Sequence, residues 1–390
     1  MSIGLYDSFG DIPLEARAAE TETIFDSEAW LKLIEAEPAL APLYFVAQQA
    51  GPRFAILPTY RWDGTWSLFT QHYDSPFTAL ARLLRSDPSA YLPTLFLGSV
   101  GGYTNKLPFL RRLFGDHAAL SELTARCLQH ARAEGVRSIS IPYSTSAAVA
   151  IALDRIPSPM TLLATEPAAY LNVTWSSLDG YVQDLPSKRR WSVRKEVSAV
   201  ADCGHHPTVE PLAPWVDRIA PLLADLQRRH GLPDEVTSIA DQLRRIAGAL
   251  GEAASVVVIA SPRGVVGFGL LLESGDDLYS YKVGFVEAEA RECATYFNVL
   301  FYLPLDYAIQ RHLRRIHFGI TGAEAKLLRG AQVEARWSVI MEPAIPTQVA
   351  RAWNELQLRK HQDLVRRFGG VISAADRDVF ERTVDRQEPA

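Results

Sequence analysis

The sequence predicts two related mixed α/β lobes in tandem. Two observations carry that expectation. A chain of 390 residues, 48% hydrophobic and 22% charged, is long enough for two ordinary domains with proper cores. Its halves also repeat one order of elements, a β-hairpin followed by a helix and a strand. Val136-Arg137-Ser138-Ile139-Ser140-Ile141-Pro142 lies over Leu313-Arg314-Arg315-Ile316-His317-Phe318-Gly319 without a gap. The boundary falls in the proline-bearing, aperiodic stretch 144–169, which gives an N-terminal lobe at 1–165 and a C-terminal lobe at 166–390.

In chain order, residues 1–25 form an irregular lead-in. Ser27 caps a helix reaching Glu37, with Trp30, Leu31 and Ile34 on its apolar face. Residues 43–62 read as two strands around the turn Gly51-Pro52. Two loops follow, from Gln71 and from Gly98, mixing glycine or proline with tyrosine and polar side chains. Within them Tyr73, Asp74, Tyr103 and Asn105 are candidates for acceptor binding, against the plainer role of satisfying their own turns. A helix over 120–134 leads into the strand ending at Pro142. In the second half a strand over 170–175 precedes a helix that starts at Ser177 or Asp179 and ends at Gly204. That helix carries Lys188, Arg189, Arg190, Arg194 and Lys195, with Arg190 and Arg194 four apart on one face. Helices near 212–230 and 236–250 follow, then a hairpin turning at Pro262-Arg263-Gly264 and a strand over 277–285. A charged helix over 347–368 and a solvated tail end the chain.

Residues 296–330 carry the most chemistry. Leu300, Leu303, Tyr307 and Ile309 recur near helical spacing, and Ile316 and Phe318 alternate with Arg315 and His317 as on a strand. Gly319 and Gly322 break that strand. Lys326 and Arg329 follow three apart, so two cations stand beside flexible backbone. Such a turn suits a negatively charged or carbonyl-bearing ligand.

Several function classes fall away. No run approaches the roughly 18 apolar residues of a membrane span, and the acidic N-terminus lacks the basic start and apolar core of a secretion signal. A cytoplasmic location is therefore expected. The three cysteines, Cys127, Cys203 and Cys293, are far apart and show no CxxC spacing, so neither a disulfide framework nor a metal site is expected. His205-His206 lacks other ligands at metal spacing. A net charge of −5 argues against bulk nucleic-acid coating, while a local basic patch stays open. There is no GxSxG, no Walker loop and no evident Ser/His/Asp group.

The order hairpin, strand, helix, strand, glycine turn resembles the GCN5-related N-acetyltransferase (GNAT) lobe, and its duplication resembles the tandem-lobe FemAB-like transferases. SKRRWSVRKEV, from Ser187 to Val197, is similar to the arginine-rich helix of that group. Residues 296–330 are similar to its terminal signature, with Gly319, Gly322, Glu324, Lys326, Arg329 and Gly330 in place. The resemblance implies two tandem GNAT-like lobes, each a mixed sheet flanked by helices, the first degenerate and acceptor-binding, the second catalytic. It implies amide formation from aminoacyl-tRNA or from acyl-CoA as co-substrate, with no bound cofactor. One departure favours aminoacyl-tRNA. Where a CoA-binding lobe offers a glycine-rich pyrophosphate cradle at a helix N-terminus, this chain has the acidic, glycine-free VEAEARECATYFN.

The expected reaction moves an aminoacyl group onto an amine of a small molecule or peptide. It needs a deprotonated amine, a donor carbonyl held close, and positive charge or N–H groups where the oxyanion develops. By resemblance Lys326 stabilises that oxyanion, and Arg329 shares the role or contacts phosphate. The plainer alternative has both capping the turn and pairing with Glu324 or Glu334. Tyr281 and Lys282 lie on the strand lining a GNAT cleft, where alternation lets one of them face it. Tyr296 and Asn298, at the start of the signature helix, offer hydrogen bonds to an acyl group. Arg190 and Arg194 present forks for phosphates of a tRNA acceptor end or of a nucleotide-linked acceptor, against the plainer role of a solvated helix face. Two rivals remain at this point: the same fold using acyl-CoA, and a non-catalytic lobe pair that binds RNA or an envelope precursor.

Overall fold

The computed structural model describes residues 2–17, 21–48, 54–113, 116–156 and 159–384. Its strands in chain order are β1 (Ser2–Tyr6), β2 (Leu40–Gln48), β3 (Phe54–Trp62), β4 (Thr94–Leu97), β5 (Ser138–Thr145), β6 (Thr161–Ala164), β7 (Ala168–Asn172), β8 (His206–Pro211), β9 (Ala254–Ser261), β10 (Gly264–Ser274), β11 (Asp277–Phe285), β12 (Arg315–His317), β13 (Gln332–Glu334) and β14 (Arg336–Glu342). Among the described residues they form two seven-stranded mixed sheets, β1-β2-β3-β4-β5-β14-β6 and β8-β9-β10-β11-β12-β7-β13.

The two orders match position for position. Each sheet has a hairpin (β2–β3, β9–β10), a third antiparallel strand (β4, β11) and one parallel partner (β5, β12). The parallel pairs also share their extent, from Thr94↔Ser138 to Phe96↔Ser140 and from Asp277↔Arg315 to Tyr279↔His317. β5 and β12 each begin at the third residue of the heptads that the sequence superposes. The internal repeat is therefore a repeat of topology.

Local chemistry explains the elements. Ser27 Oγ accepts from the Trp30 backbone N–H at 3.2 Å and starts the Glu28–Glu35 helix, an N-cap that contributes about 1 kcal/mol. In β9, Val256, Val257, Val258 and Ile259 are all fully buried, which requires helices on both faces of that sheet. Gly269 and Gly284 show the two helix layers closing in. A Cβ on Gly269 would meet the Val299 carbonyl at 2.2 Å, and one on Gly284 would meet the backbone of Leu222 at 2.9 Å. Gly284 pairs with Phe268, the neighbour of Gly269, so the two glycines point to opposite faces. In the first sheet the core gathers Phe45, Leu95, Ile139, Val149 and Trp337.

The structure corrects four expectations. The chain forms one unit from Met1–Pro167, Glu334–Val365 and Ile372–Ala390, and another from Ala168–Val333 and Arg366–Val371, instead of dividing at 165/166. The reason is β14, which returns to the first sheet and pairs with both β5 and β6. The Thr347–Phe368 helix goes with it, Asn354 bonding the Ala164 amide at 2.9 Å and the Leu162 carbonyl at 2.8 Å. Second, the helix expected from Ser177 to Gly204 is two, Leu178–Asp184 and Ser187–Asp202, divided at Leu185-Pro186 because proline breaks the i→i−4 ladder. Third, the tail is not simply solvated: the Ala374–Val384 helix buries Val379 and Phe380. Fourth, Asp376 in that helix accepts from Ser146 Oγ at 2.5 Å, with buried His361 held below the usual imidazole range by burial. Ser146 and Asp376 thus join two elements in a closed core, where His361 feels the Asp376 charge while its Nε2 has no hydrogen-bond partner. The turn expected at Gly51-Pro52 lies outside the described residues.

Candidate functional site

The signature helix carries an irregularity. Thr295–Phe297 and Leu303–Gln310 are joined by a π-helical turn, Asn298–Tyr302. Such turns recur at functional sites because the extra residue re-aims side chains. Asn298, buried, donates through Nδ2 to the Glu196 carbonyl at 2.8 Å and the Ala294 carbonyl at 3.1 Å. Ser280 of β11 donates to the Leu300 carbonyl at 3.1 Å, fastening the turn to the sheet.

Arg329 sits under this turn, 7% exposed. Its Nε donates to Tyr302 Oη at 2.8 Å, Nη1 to the Ala325 carbonyl at 2.8 Å and Nη2 to Glu196 Oε2 at 2.7 Å. Its guanidinium carbon lies 3.3 Å from the Phe297 ring centroid. Tyr302 also donates to Glu196, and Tyr181 donates to the Arg329 carbonyl at 2.7 Å. Burial pushes both phenols above their ordinary range. The partner of Arg329 is therefore Glu196, an acid on the arginine-rich helix that sequence reasoning passed over. Its place in the run of Arg194, Lys195 and Glu196 is the signal that could have flagged it. Tyr296 lies near enough to Arg329 to feel its charge and stacks edge-on against Phe285 at 5.1 Å.

Lys326 is on the short Ala323–Leu327 helix, 2% exposed. Its Nζ donates to the Phe318 carbonyl at 2.6 Å and the Thr321 carbonyl at 2.5 Å, the residues that follow β12. Burial pulls its pKa down to about 7. An ammonium has three donors, so one N–H is left beyond those two carbonyls. Gly319 and Gly322, with φ of 72° and 64°, turn the chain between them. This turn begins where β12 stops. Beyond Tyr279↔His317, no strand among the described residues pairs with residues 280–285 of β11 on that side.

β11 changes character at the same place. Its register against β10 shifts between Leu270 and Leu271, leaving Tyr281 as an extra residue, a β-bulge. The alternation expected to expose one of Tyr281 and Lys282 to a cleft breaks down there. Both are buried, and the Lys282 ammonium lies 5.0 Å from the Tyr281 ring centroid. Burial takes Lys282 to about 7 as well.

On the Ser187–Asp202 helix, Arg190 donates through Nε to the Leu185 carbonyl at 2.8 Å, and exposed Arg194 lies 3.9 Å from Asp179. Trp191, 71% exposed, stands among them with Lys195 over its ring at 5.5 Å. The outer face of this helix is basic and aromatic, and its inner face carries Glu196.

In the first unit the predicted residues hold loops together. Tyr73 donates to the Gly102 carbonyl at 2.6 Å. Asn105 bonds the Leu97 carbonyl and the Leu107 amide, both at 3.3 Å. Tyr73 and Tyr103 pack against Tyr143 at 5.1 and 5.2 Å, and Asp74 caps the Ser75–Leu84 helix without a side-chain bond. A small cavity of about 50 Å³ lies elsewhere in this unit, lined by Phe9, Leu31, Ile56 and Phe109 with Arg17 and Asp26. Burial pushes Asp26 up to about 6, and its Oδ2 has no hydrogen-bond partner. Sequence reasoning left Phe9 and Arg17 in the irregular lead-in and named no site here. The cysteines bring another correction: Cys203 and Cys293 form a disulfide, because two helix ends 90 residues apart in sequence are neighbours in space.

No curated protein sequence matches the chain. Among solved structures, FemX is similar at 10% identity over 87% of this chain and 97% of that one, with a TM-score of 0.55. A tandem GNAT protein from the clavulanic acid biosynthesis pathway is similar at 12% identity over 80% of this chain and 86% of that one, with a TM-score of 0.45. The fold is the tandem GNAT fold, two mixed sheets flanked by helices. No helix among the described residues is long and apolar enough to cross a membrane. Residues 34–364 match the FemAB-like family, described as peptidoglycan biosynthesis/recognition; the chain belongs to that family, and this membership supports an acyltransferase.

Proposed function

We propose that the chain is an aminoacyl-tRNA-dependent N-acyltransferase whose chemistry takes place in the second unit and whose acceptor is an amine of a small molecule or peptide of the cell-wall precursor type. The observation that carries this reading is the Lys326 turn at the open end of the β11–β12 pair. A donor carbonyl entering there meets the remaining Lys326 N–H, which stabilises the oxyanion as the acceptor nitrogen attacks. The C–N bond forms, the ester bond to the ribose breaks, and the amine proton ends on the departing ribose oxygen. Arg329 is already committed to Glu196, Tyr302 and Ala325, so its part is to hold the π-turn and the lysine-bearing helix in place.

Two features favour tRNA over CoA as the donor. The helix after β11, Glu287–Glu292, opens with Glu287 and Glu289, and carboxylates at a helix N-terminus repel a pyrophosphate. The outer face of the Ser187–Asp202 helix offers Lys188, Arg194 and Lys195 beside exposed Trp191, a combination suited to phosphates and an unpaired base at an acceptor end. The cavity at Asp26 is the acceptor candidate in the first unit, since a carboxylate oxygen without a partner suits an amine.

The test supplies the chain with charged total tRNA or with an acyl-CoA panel, plus peptidoglycan-precursor amines, with and without RNase. Mass spectrometry reads the amide product. Product that RNase abolishes is the expected result. Product that survives RNase and requires acyl-CoA overturns the donor assignment.

A further inference from the structure

We propose that Cys203, Cys293 and His205 form a binding site for a zinc-class divalent cation, available when the two thiols are reduced and closed when they are joined. All three lie in the second unit. The Ser187–Asp202 helix ends at Cys203, Gly204 turns the chain with φ of 71°, and His205 leads into β8. Cys293 ends the Glu287–Glu292 helix. The cysteine Cα atoms are 6.0 Å apart, and the two sulfurs and a ring nitrogen of His205 lie within 4.8 Å of one another. Two sulfurs and an imidazole are soft to borderline donors, the set that selects zinc over magnesium or calcium.

His205 is what points beyond a simple disulfide. It is 7% exposed, and its Nδ1 is buried with no hydrogen-bond partner. Its Nε2 is 2.7 Å from Glu289 Oε2, so the carboxylate takes the Nε2 proton as a hydrogen bond and leaves the Nδ1 lone pair unused. A carboxylate behind the far nitrogen is the usual way a metal-bound histidine is oriented. The same Glu289 oxygen is 3.3 Å from Cys293 Sγ. A disulfide needs neither the histidine nor the glutamate. A tetrahedral zinc with bonds of about 2.3 Å would hold the sulfurs about 3.8 Å apart, which rotation of the two side chains supplies.

The redox step balances through a dithiol or phosphine reductant. A dithiol gives two electrons and two protons and ends as its own disulfide, whereas a phosphine gives two electrons and ends as its oxide, water supplying the oxygen and both protons; either way Cys203 and Cys293 become thiols. The cation then displaces one proton from each thiol into solvent, binds both thiolates and Nδ1, and keeps a water as fourth ligand. A small-molecule disulfide reverses this: it takes the two electrons, the protein S–S bond re-forms and the cation leaves.

The experiment uses the full chain, reduced anaerobically with a phosphine, exposed to zinc sulfate and desalted, with metal counted by mass spectrometry. One zinc per chain is expected in the reduced protein and none in the oxidised one. Cobalt in place of zinc should give thiolate charge-transfer absorption. His205→Gln should keep the disulfide and the melting temperature of the oxidised protein while binding zinc at least about tenfold more weakly in chelator competition. Zinc uptake no greater in the reduced than in the oxidised protein would overturn the proposal, as would unchanged affinity in His205→Gln. If reduction loosens the fold, zinc must restore the native near-ultraviolet circular dichroism; failure to restore it also counts against the site.

Discussion

Glu196→Gln removes the charge that faces Arg329 and leaves the rest of the second unit in place. Arg329 keeps its bonds to Tyr302 and the Ala325 carbonyl, yet its charge, with a side chain 9% exposed, loses its carboxylate. Breaking a buried pair by removing one partner costs about 3–5 kcal/mol, and the Glu196 side chain is 23% exposed, which places the cost near the lower end, about 3 kcal/mol. For a unit of this size about 1 kcal/mol moves the melting temperature by roughly 2–4 °C, so the variant should melt roughly 6–12 °C lower. The Glu196→Gln, Arg329→Gln cycle should return a coupling of at least about 2 kcal/mol, since the pair shares hydrogen bonds as well as charge. Thermal and urea unfolding followed by circular dichroism measure both quantities. A single variant within about 2 °C of the parent, or a coupling under about 0.5 kcal/mol, would refute the assignment of Glu196 as the counter-ion that holds the π-turn.

Lys326→Ala should lower kcat by roughly a hundredfold to a thousandfold with little change in donor affinity, the usual cost of an oxyanion donor. Because burial brings Lys326 to about 7, the ammonium is populated below that pH, so the parent's kcat/KM advantage over Lys326→Ala, a ratio from which the acceptor amine's own titration cancels, should shrink as pH rises through about 7; a ratio independent of pH would remove the lysine's charge from the chemistry. Gly269→Ala places a Cβ 2.2 Å from the Val299 carbonyl and should cost about 1–3 kcal/mol or more in melting experiments. Gly248→Ala, a helical site with open space around it, should instead stabilise by up to about 1 kcal/mol, so equal melting of the two variants would contradict the close packing of β10 against the π-turn.

Topology was legible in the sequence because it rests on local signals that repeat. The hairpins at 43–62 and 255–274 are pairs of apolar runs separated by turn residues, and the heptads at 136 and 313 have the same pattern because β5 and β12 hold the same place beside β4 and β11. What stayed hidden depends on contacts distant in sequence. β14 carries no mark in its own residues of which sheet it joins; pairing with β5 and β6 decides it. Nothing near Cys203 announces Cys293, since 90 residues separate them. Of the site, the lysine and arginine of the turn were legible as a motif, whereas the acid opposite Arg329 was masked by the basic run around it. The bulge at Tyr281 was invisible because a shift of register belongs to a pair of strands and not to either sequence.

The two copies of the fold differ at the ends of their parallel strand pairs. In the first, β5 runs on past its parallel pairing with β4, through Tyr143 at φ of 51°, to Thr145. Buried Asn105 then bridges to it: the Asn105 amide donates to the Tyr143 carbonyl at 2.9 Å, and its carbonyl accepts from the Thr145 amide at 3.1 Å. The space beside β5 that β4 vacates is filled by the chain's own loop. In the second copy β12 ends three residues into its pairing, Phe318 turns away to donate to the Ala169 carbonyl at 2.8 Å, and glycines carry the chain round to Lys326. No residue there takes the place that Asn105 takes in the first copy, among the described residues, and β11 bulges at the same level. On the proposed reading the donor carbonyl enters the open copy, so Lys326→Ala, the substitution that tests the mechanism, falls in the second unit.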